Sequence, residues 1–488
     1  MQLVEANNPI IKDRFTADPA ALVHDGKVYL YVGHDQARVN DSFFVMKEWN
    51  IYASDDLIDW NFEGNLPRTE FAWAKGDSAW ASQAIERDGS FYWYVTVLNA
   101  DTSKGGYAIG VAKSDQPSKN FKDAIGKPLI SSDMTPNPEH MGIEAWDDID
   151  PTVFIDDDGQ AYLYWGNTHL YYVKLKENMI ELDGEIKQIN IHNMTGTFTE
   201  GPWVHKYKEN YYLSFAMNYP EEIGYAMSKH PEGPWEFKGK ILDKLPHSST
   251  SHPAIIEFED SWYFIYHTAA LPTGGEFRRS VSIEKLSYDS NGEIKKLKPS
   301  VSGLHEKNYQ IQPYGENEKY VRYKGMKIDV IDGVKDMHEV KWHITQGLAE
   351  DEPYFVSIQA ENNPGYYMKR KGRQIILAKN DGSDEFKQAA TFKQTPGLVD
   401  NKKFSYTTLE DESLYITIQN NEIVLKQIKN TADQKKATFQ IYDNEQNEVN
   451  FTQPLDREIK YSMNYYWILF AIIIAIVSIV WFRRKKER

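Results

Sequence analysis

The chain has 488 residues, which is too long for one ordinary core and leaves room for more than one domain. Its formal net charge of −16 argues against a nucleic-acid partner, because no basic face is available to neutralise phosphates. The absence of cysteine excludes disulfides, a thiol nucleophile and cysteine–zinc sites.

A short tyrosine-centred apolar pattern recurs five times along the first part of the chain. Aromatic residues make up 14% of the sequence, and such residues favour strands and suit contact with sugar rings. The runs occupy residues 28–31, 92–95, 162–165, 211–213 and 263–266. The spacing between successive runs is the length of one repeat. Strand-rich repeats of about 40–50 residues or somewhat longer are typical of a β-propeller, so an all-β ring of five blades is predicted for residues 1–304.

Each repeat is predicted to supply four strands to its blade. In the first repeat these strands are residues 19–23, 28–33, 51–54 and 60–62. Closure of the ring removes most of the exposed sheet edges.

One position ahead of the tyrosine run is acidic in three of the five repeats. Eleven or twelve residues before Tyr29, Tyr92, Tyr162, Tyr212 and Tyr263 lie, in the same order, Asp18, Ala81, Asp150, Glu200 and His252. Equivalent positions in a propeller surround one axis. We therefore expect Asp18, Asp150 and Glu200 to meet in space.

Three clustered carboxyl groups suit the hydrolysis of a glycosidic bond. That reaction needs a proton donor for the leaving oxygen and a carboxylate that activates water or attacks the anomeric carbon. A third carboxylate that stays charged raises the pKa of the donor by like-charge repulsion. Asp-Pro and Glu-Gly-Pro can also merely begin strands or turns. Three acids in one register of a five-fold repeat favour the functional interpretation.

A second, weaker repeat occupies residues 305–443 and predicts a β-trefoil. Its three copies pair a tyrosine with a later aromatic residue: Tyr320 with Trp342, Tyr367 with Phe392, and Tyr415 with Phe439. The polar residues 444–464 are predicted to be a spacer.

The C-terminus predicts a membrane anchor. Residues 465–482 form an uncharged apolar run bracketed by aromatic residues, which is long enough to span the hydrocarbon layer. The basic residues 483–488 then place the tail in the cytoplasm and the preceding domains outside, at the cell surface. Residues 1–6 do not resemble an export signal, so we expect the start to be truncated or misassigned.

Three phrases in the first 304 residues resemble the signatures of glycoside hydrolase family 43. They are residues 17–19 (Ala-Asp-Pro), residues 148–159 (which contain Asp-Pro-Thr-Val-Phe) and residues 199–203 (Thr-Glu-Gly-Pro-Trp). The resemblance covers about residues 7–304. It implies a five-bladed propeller that acts as an arabinofuranosidase, β-xylosidase or arabinanase.

The same resemblance implies a role for each acid. Asp18 would be the general base, Glu200 the general acid, and Asp150 the residue that tunes the pKa of the donor and orients it. Members of the family invert configuration, so the carboxyl groups of Asp18 and Glu200 are expected to lie about 6.5–9.5 Å apart.

The second repeat resembles the arabinofuranose-binding module attached to some arabinofuranosidases. Residues 362–367, 390–392 and 396–398 match its recurrent phrases. The chain departs from the module at Lys369-Arg370, where the module has Arg-His, and at Ala389, where it usually has Asp. Both sugar binding and a purely structural role therefore stay open for this domain.

Four further residues are predicted to lie near the substrate: Trp73, Trp80, Arg279 and His267. The tryptophans would wall the sugar pocket or serve as core aromatics. Arg279 resembles the substrate-contacting arginine of the family, with a salt bridge between blades as the alternative. His267 would lie near a central calcium or water, or be a hydrogen-bonded core histidine. The chemistry requires no cofactor, and a structural calcium near the axis is one expectation.

The preferred hypothesis is an exo-acting α-L-arabinofuranosidase that trims the arabinan or arabinoxylan of plant cell walls. The alternatives are a β-xylosidase acting on xylo-oligosaccharides, a non-catalytic cell-surface glycan-binding protein, and a fructan-cleaving propeller. The acid trio argues against the glycan-binding protein. The Asp-Pro-Thr-Val-Phe and Glu-Gly-Pro-Trp phrases argue against the fructan-cleaving enzyme.

Overall fold

The structure, a computed structural model, describes residues 7–136, 138–139, 145–305, 307–350, 352 and 354–451. Within these residues the chain is almost entirely β-structure. Five small sheets form the blades of a propeller, and one larger sheet forms a second domain. The predicted five-bladed propeller is confirmed.

The first two blades are built from consecutive strands. Blade one contains β1 (Thr16–His24), β2 (Lys27–His34), β3 (Glu48–Ser54) and β4 (Asn61–Pro67). Blade two contains β5 (Ala74–Lys75), β6 (Ser82–Arg87), β7 (Ser90–Asn99), β8 (Tyr107–Ser114) and β9 (Lys122–Asp123). A 3₁₀ turn at Arg68–Glu70 connects them.

The other three blades follow the same antiparallel order, except that a short strand joins blade four in parallel. Blade three contains β10 (Thr152–Ile155), β11 (Ala161–Trp165), β12 (Leu170–Leu175) and β13 (Leu182–Ile189). Blade four contains β14 (Ile191–His192), β15 (Phe198–Tyr207), β16 (Asn210–Met217), β17 (Glu222–Ser228) and β18 (Trp235–Leu242). Blade five contains β19 (Ala254–Phe258), β20 (Ser261–Thr268) and β21 (Ser280–Leu286).

The repeated tyrosines connect neighbouring blades. In four blades a buried tyrosine hydroxyl donates to a backbone carbonyl of the next blade, and no buried hydroxyl on these four rings is left without a partner. The pairs are Tyr31 with Pro117, Tyr94 with Met179, Tyr164 with Pro231, and Tyr212 with Gly292, at 2.5, 2.5, 2.7 and 2.6 Å. The sequence repeat therefore marks the contacts that hold the ring together.

The segment ahead of β1 closes the ring against blade five. Ile10 N–H donates to the Val281 carbonyl and Thr16 N–H donates to the Arg279 carbonyl, each at 2.9 Å. Four strands were predicted for every blade, but the described sheet of blade five has three. The chain N-terminal to β1 lies along β21 instead, because ring closure needs a partner for that strand.

The second domain is one barrel-like sheet of 13 strands with a three-fold repeat. Its first six strands are β22 (Tyr309–Pro313), β23 (Lys319–Lys324), β24 (Lys327–Asp332), β25 (Lys341–Gln346), β26 (Phe355–Ala360) and β27 (Tyr366–Lys371). The rest are β28 (Gln374–Lys379), α1 (Asp384–Ala389), β29 (Phe392–Pro396), β30 (Phe404–Thr408), β31 (Leu414–Gln419), β32 (Glu422–Gln427), α2 (Thr431–Lys436), β33 (Phe439–Asp443) and β34 (Glu448–Val449). Two 3₁₀ turns, Gly303–His305 and Met337–Val340, lie near its start.

This domain has its own core, to which each repeat contributes one large aromatic residue. Trp342, Phe392 and Phe439 are all buried in one hydrophobic cluster. They are the residues that the sequence repeat identified.

The second domain packs on the loop between β20 and β21. The Lys379 ammonium donates to the Gly274 carbonyl at 2.7 Å. Gly365 has a φ of +86°, and a Cβ there would lie 2.7 Å from the carbonyl oxygen of Ala270. Only glycine allows this approach without a shift. The loop 269–279 is therefore held from outside by the second domain.

No helix in the described part of the chain is long and apolar enough to cross a membrane. The predicted transmembrane helix at residues 465–482 and the basic tail at 483–488 lie outside the described residues, as does the spacer beyond residue 451.

Candidate active site

A cavity of about 520 Å³ lies where the inner strands begin, and the three predicted acids share it. Asp18 comes from blade one, Asp150 from the entry to blade three and Glu200 from blade four. Their side chains come together although the chain forms blades one, two and three between Asp18 and Glu200. The structure therefore brings together the three residues that the repeat placed in register.

The backbone at this cavity is strained in a repeated way. Asp18, Asp150 and Gly201 each precede a proline and have φ values of 49°, 60° and 63°. Left-handed backbone at a non-glycine residue costs on the order of 1–3 kcal/mol and concentrates at functional sites. Gly201, not Glu200, is thus the local equivalent of Asp18 and Asp150.

Glu200 lies one residue ahead of that position because its strand bulges. The register shift of β15 against β16 between Glu200 and Trp203 matches the shift of β1 against β2 between Ala17 and Ala20, but β15 has a second shift, between Phe198 and Glu200, that β1 lacks. A bulge bends the strand and re-aims a side chain. It lets the longer Glu200 side chain reach the cavity from one position earlier.

Asp18 is held as a carboxylate by Arg279. Arg279 Nη1 donates to Asp18 Oδ1 at 2.8 Å and Nη2 donates to Oδ2 at 3.2 Å. Burial by itself would raise the pKa of Asp18, but the charge and hydrogen bonds of Arg279 together with His267 and His252 outweigh it, and the pKa lies below its usual value. Asp18 is therefore ionised and able to accept a proton.

Glu200 has the opposite tendency. Burial is the main cause that raises its pKa to about 7, and the charge of Asp18 adds to it. Asn167 Nδ2 donates to Glu200 Oε2 at 2.7 Å and partly offsets the rise. Glu200 can therefore hold a proton near neutral pH.

Asp150 contacts both the backbone beside Glu200 and a neighbouring blade. Its Oδ2 accepts from Gly201 N–H at 3.1 Å, and its own N–H donates to Thr96 Oγ1 at 2.9 Å. Burial, followed by the charges of Glu200 and Asp18, raises its pKa well above the usual value. A permanently charged Asp150 was expected from the sequence. The structure differs, because burial among two other acids disfavours a third charge and leaves Asp18 as the charged member.

His267 lies behind Asp18 and not on the cavity surface. Its side chain is fully buried, its Nδ1 accepts from Asp18 N–H at 3.3 Å, and its Nε2 is 2.9 Å from the Thr250 carbonyl. Burial lowers its pKa to about 3, so the ring is neutral. The structure places it as a hydrogen-bonded core residue. The prediction that it lies at the substrate cavity is therefore wrong.

His252, the equivalent of the acids in blade five, is also buried. Its Nδ1 lies 3.8 Å from Asp150 Oδ2, and burial lowers its pKa to about 4. It therefore faces Asp150 as a neutral ring.

The calcium considered from the sequence has no ligand set among the described residues. No group of three or more His, Asp or Glu side chains in the described ranges could hold a metal ion. Both nitrogens of His267 already contact protein atoms. A structural calcium near the axis stays a prediction.

Two of the remaining predicted residues line the cavity and one does not. Trp80 lines it and stacks on Tyr107, with ring centroids 3.9 Å apart. Arg279 also lines it, although only 3% of the residue is exposed. Trp73 is not among the lining residues, since its Nε1 donates to Asp123 at 2.9 Å and its ring packs against Phe71.

Several residues of the site were not found from the sequence. Asn167 follows the tyrosine run of blade three, and Asp35, which holds Arg279, follows that of blade one. A polar residue just after the second strand of a repeat was the available signal. Other lining residues lie on loops without a shared pattern: Phe43, Phe44, Trp146, Tyr219, Glu276 and Phe277.

Known proteins resemble the chain in both domains. Residues 6–294 match the family described as "Glycosyl hydrolases family 43", and residues 304–441 match the "Alpha-L-arabinofuranosidase B (ABFB) domain". The chain is 29% identical over 343 residues to xylosidase/arabinosidase 43A of Humicola insolens, across 60% of this chain and 99% of that protein. It is 30% identical over 363 residues to an arabinoxylan arabinofuranohydrolase of Bacillus subtilis (strain 168), across 64% of this chain and 68% of that protein.

Solved structures agree with this similarity. The GH43_1 enzyme from Xanthomonas citri aligns with a TM-score of 0.52 and 28% sequence identity, and the alignment covers 59% of this chain and 92% of that one.

Proposed function

The chain belongs to glycosyl hydrolase family 43 and is a glycosidase, and on that premise we propose that it releases α-L-arabinofuranosyl residues from arabinan or arabinoxylan. The observation that carries the proposal is the division of charge in one cavity. Asp18 is held ionised by Arg279, whereas burial keeps a proton on Glu200 near neutral pH. A base and an acid with pKa values pushed apart are what glycoside hydrolysis requires.

The reaction we propose proceeds with inversion. Glu200 gives its proton to the glycosidic oxygen as the bond to the anomeric carbon breaks. Asp18 removes a proton from a water molecule that attacks the same carbon from the opposite face. Asp18 ends protonated and Glu200 ends ionised, and exchange with solvent restores both. Asp150 accepts a hydrogen bond from the backbone N–H of Gly201 and thereby positions the adjacent Glu200.

Arabinose is favoured over xylose by the second domain. That domain matches the arabinofuranosidase B domain, and a relative is an arabinoxylan arabinofuranohydrolase. The second candidate is β-xylosidase activity, because another relative, from Xylanibacter ruminicola, is a "Beta-xylosidase" with 27% identity over 331 residues.

Exposed aromatic rings at the mouth of the cavity support a substrate with further sugar units. Phe43, Trp146 and Tyr219 line the cavity and are 56%, 42% and 74% exposed. Flat rings of this kind cover the apolar faces of sugars. The glycan beyond the scissile bond is the natural partner for them.

The second domain is proposed to be a β-trefoil whose role is at least partly structural. Its three-fold repeat of strands supports the trefoil, and its contacts with the loop 269–279 support the structural role. Arabinose binding by this domain stays a prediction.

Attachment to the cell surface also stays a prediction from residues 465–488. Fractionation of cells that express the full chain would test it, with recovery in the membrane fraction as the expected result.

Activity on two aryl glycosides tests the proposed function. We expect turnover of 4-nitrophenyl α-L-arabinofuranoside to exceed that of 4-nitrophenyl β-D-xylopyranoside, and arabinose to be released from arabinan or arabinoxylan. Faster turnover of the xyloside, together with release of xylose from xylo-oligosaccharides, would favour the second candidate.

A further inference from the structure

Arg279 lies between two carboxylates, of which only one reaches the cavity. On one side it donates to both oxygens of Asp18. On the other, Nε donates to Asp35 Oδ2 at 2.9 Å and Nη2 donates to Asp35 Oδ1 at 3.0 Å. The backbone N–H of Arg279 also donates to Asp35 Oδ2, at 2.8 Å. Asp35 therefore holds both the guanidinium group and the backbone N–H of Arg279.

Asp35 cannot touch the substrate. Only 2% of the residue is exposed, its side chain is fully buried, and it is not among the residues that line the cavity. Its place is set by the end of β2, where its N–H donates to the Phe15 carbonyl at 3.2 Å. Any influence on the reaction must pass through Arg279.

Asp35, Arg279 and Asp18 form a buried row of negative, positive and negative charges. Burying three charges costs free energy, so such a row is expected where the charges have a function. Among the groups that accept from the guanidinium, Asp18 and Asp35 are charged, whereas Thr250 Oγ1 at 3.2 Å and Met46 Sδ at 3.7 Å are neutral. If Asp35 were absent, the whole cation would face Asp18 alone. A carboxylate that holds a buried guanidinium by itself becomes a weaker base.

Other charged or titratable groups also face Asp18. His267 of β20 and His252 ahead of β19 lie on one side as neutral rings. The carboxyl groups of Asp150, Glu200 and the buried Glu221 also interact with it. Arg279 is thus the only cation that the described residues place against Asp18, and Asp35 is its second carboxylate partner.

We propose that Asp35 is a positioning residue that sets the orientation and the basicity of Asp18 through Arg279. The inference rests on the proposed role of Asp18 as the general base. It adds a fourth acid to the machinery, one that acts without contacting the sugar.

The test compares the pH dependence of kcat/KM in two variants. In Asp35→Asn the cation faces Asp18 alone, so Asp18 becomes protonated only at lower pH. The acid limb of the pH profile should move to lower pH than in the wild type. The value of kcat should fall by about tenfold, with little change in KM, because Asp18 is a weaker base. In the double variant Asp35→Asn/Arg279→Met, Asp18 has lost its cation, so the acid limb should lie above that of the wild type.

The double variant also protects the test against misfolding, because it removes both members of the buried pair together. If only the double variant folds, an acid limb at or below the wild-type position overturns the proposal. If both fold, the pH of the acid limb should rise from Asp35→Asn through the wild type to the double variant, and any other order overturns the proposal. A loss of kcat in Asp35→Asn with an unmoved limb would show a merely structural role.

A matched control and a separate variant isolate the inference. Asp329→Asn breaks a similar carboxylate–guanidinium pair with Arg322, whose two hydrogen bonds are 2.9 and 2.8 Å long, in the second domain. It should leave the limb in place. Asp18→Asn tests the underlying base: if that variant keeps wild-type activity, the proposed function fails, whereas its inactivity together with an unmoved limb in Asp35→Asn defeats only the role of Asp35.

Discussion

The backbone N–H of Gly201 donates a hydrogen bond of 3.1 Å to Oδ2 of Asp150. The residue beside Glu200 in blade four is thus fixed by the acid that precedes the first strand of blade three. A Cβ on Gly201 would lie 3.1 Å from His252 Nδ1, so this position is also crowded from blade five. Three blades therefore determine where the proposed proton donor lies.

Replacement of the proposed donor should depend on the leaving group. In Glu200→Gln the proton for the glycosidic oxygen is lost, so hydrolysis of arabino-oligosaccharides should fall by about 10²–10⁴-fold. A 4-nitrophenolate leaves without much help, so 4-nitrophenyl α-L-arabinofuranoside should be turned over at a rate much closer to that of the wild type. Steady-state kinetics on both substrates check this. Equal losses on the two would contradict the acid role.

The pH profile of kcat/KM should be bell-shaped with a wide optimum. Activity should decline above about pH 7, where Glu200 loses its proton, because burial raises its pKa to about 7. On the acid side, activity should persist below pH 4, because Arg279 holds the pKa of Asp18 below its usual value. In Glu200→Gln, measured on the aryl glycoside, the decline above pH 7 should disappear. Its persistence would assign that limb to another group.

Glu200 should reduce stability at alkaline pH. Its pKa is raised to about 7 by burial, against an ordinary value of 4.5, so its contribution to stability is present below pH 4.5 and is lost as the pH rises through about 7. Glu200→Gln has no charge to bury. It should therefore melt a few degrees higher than the wild type at pH 8, a gain of at most about 3 kcal/mol, and the gap should close toward pH 4.

Thermal denaturation at several pH values measures this gap. Glu185→Gln, on the exposed surface of β13, serves as the control and should show no gap that changes with pH. A Glu200→Gln variant less stable than the wild type at pH 8 would contradict the buried, proton-holding state of the residue.

The sequence predicted the ring and the acid trio because both depend on a period. In four blades the tyrosine recurs because it bonds the next blade. Asp18 and Asp150 share a register with Gly201, the neighbour of Glu200, because equivalent strands surround one axis. The bulge at Glu200 could not be predicted from that period, because it appears only in how β15 pairs with β16. His267 follows the tyrosine run of blade five yet points into the core, because its side chain bonds the backbone of Asp18 and Thr250.

The loops that shape the cavity were not predictable for a different reason. Phe277 and Glu276 lie on a loop whose position depends on the second domain, which contacts it through Lys379. Contacts between domains leave no periodic trace in the sequence. The differences from the arabinofuranose-binding module at Lys369-Arg370 and Ala389 showed only that this domain departs from the module's sequence. They did not show that the domain contacts the loop.

Loss of the Lys379 contact should weaken the reaction on long substrates. Lys379→Met leaves the Gly274 carbonyl without its 2.7 Å donor and loosens the loop that carries Glu276 and Phe277. We expect kcat/KM on arabino-oligosaccharides to fall a few-fold, with a smaller change on the aryl glycoside and faster hydrogen exchange in residues 269–279. Lys371→Met, at the exposed end of the same hairpin, is the control. Unchanged exchange in Lys379→Met would show that the second domain does not hold the loop.

The configuration of the released sugar tests the proposed reaction most directly. Time-resolved ¹H NMR of 4-nitrophenyl α-L-arabinofuranoside hydrolysis can detect the anomeric proton before mutarotation. If Asp18 activates water while Glu200 protonates the leaving oxygen, β-L-arabinofuranose should appear first. Initial release of the α-anomer, or no release of arabinose at all, would contradict the proposed roles.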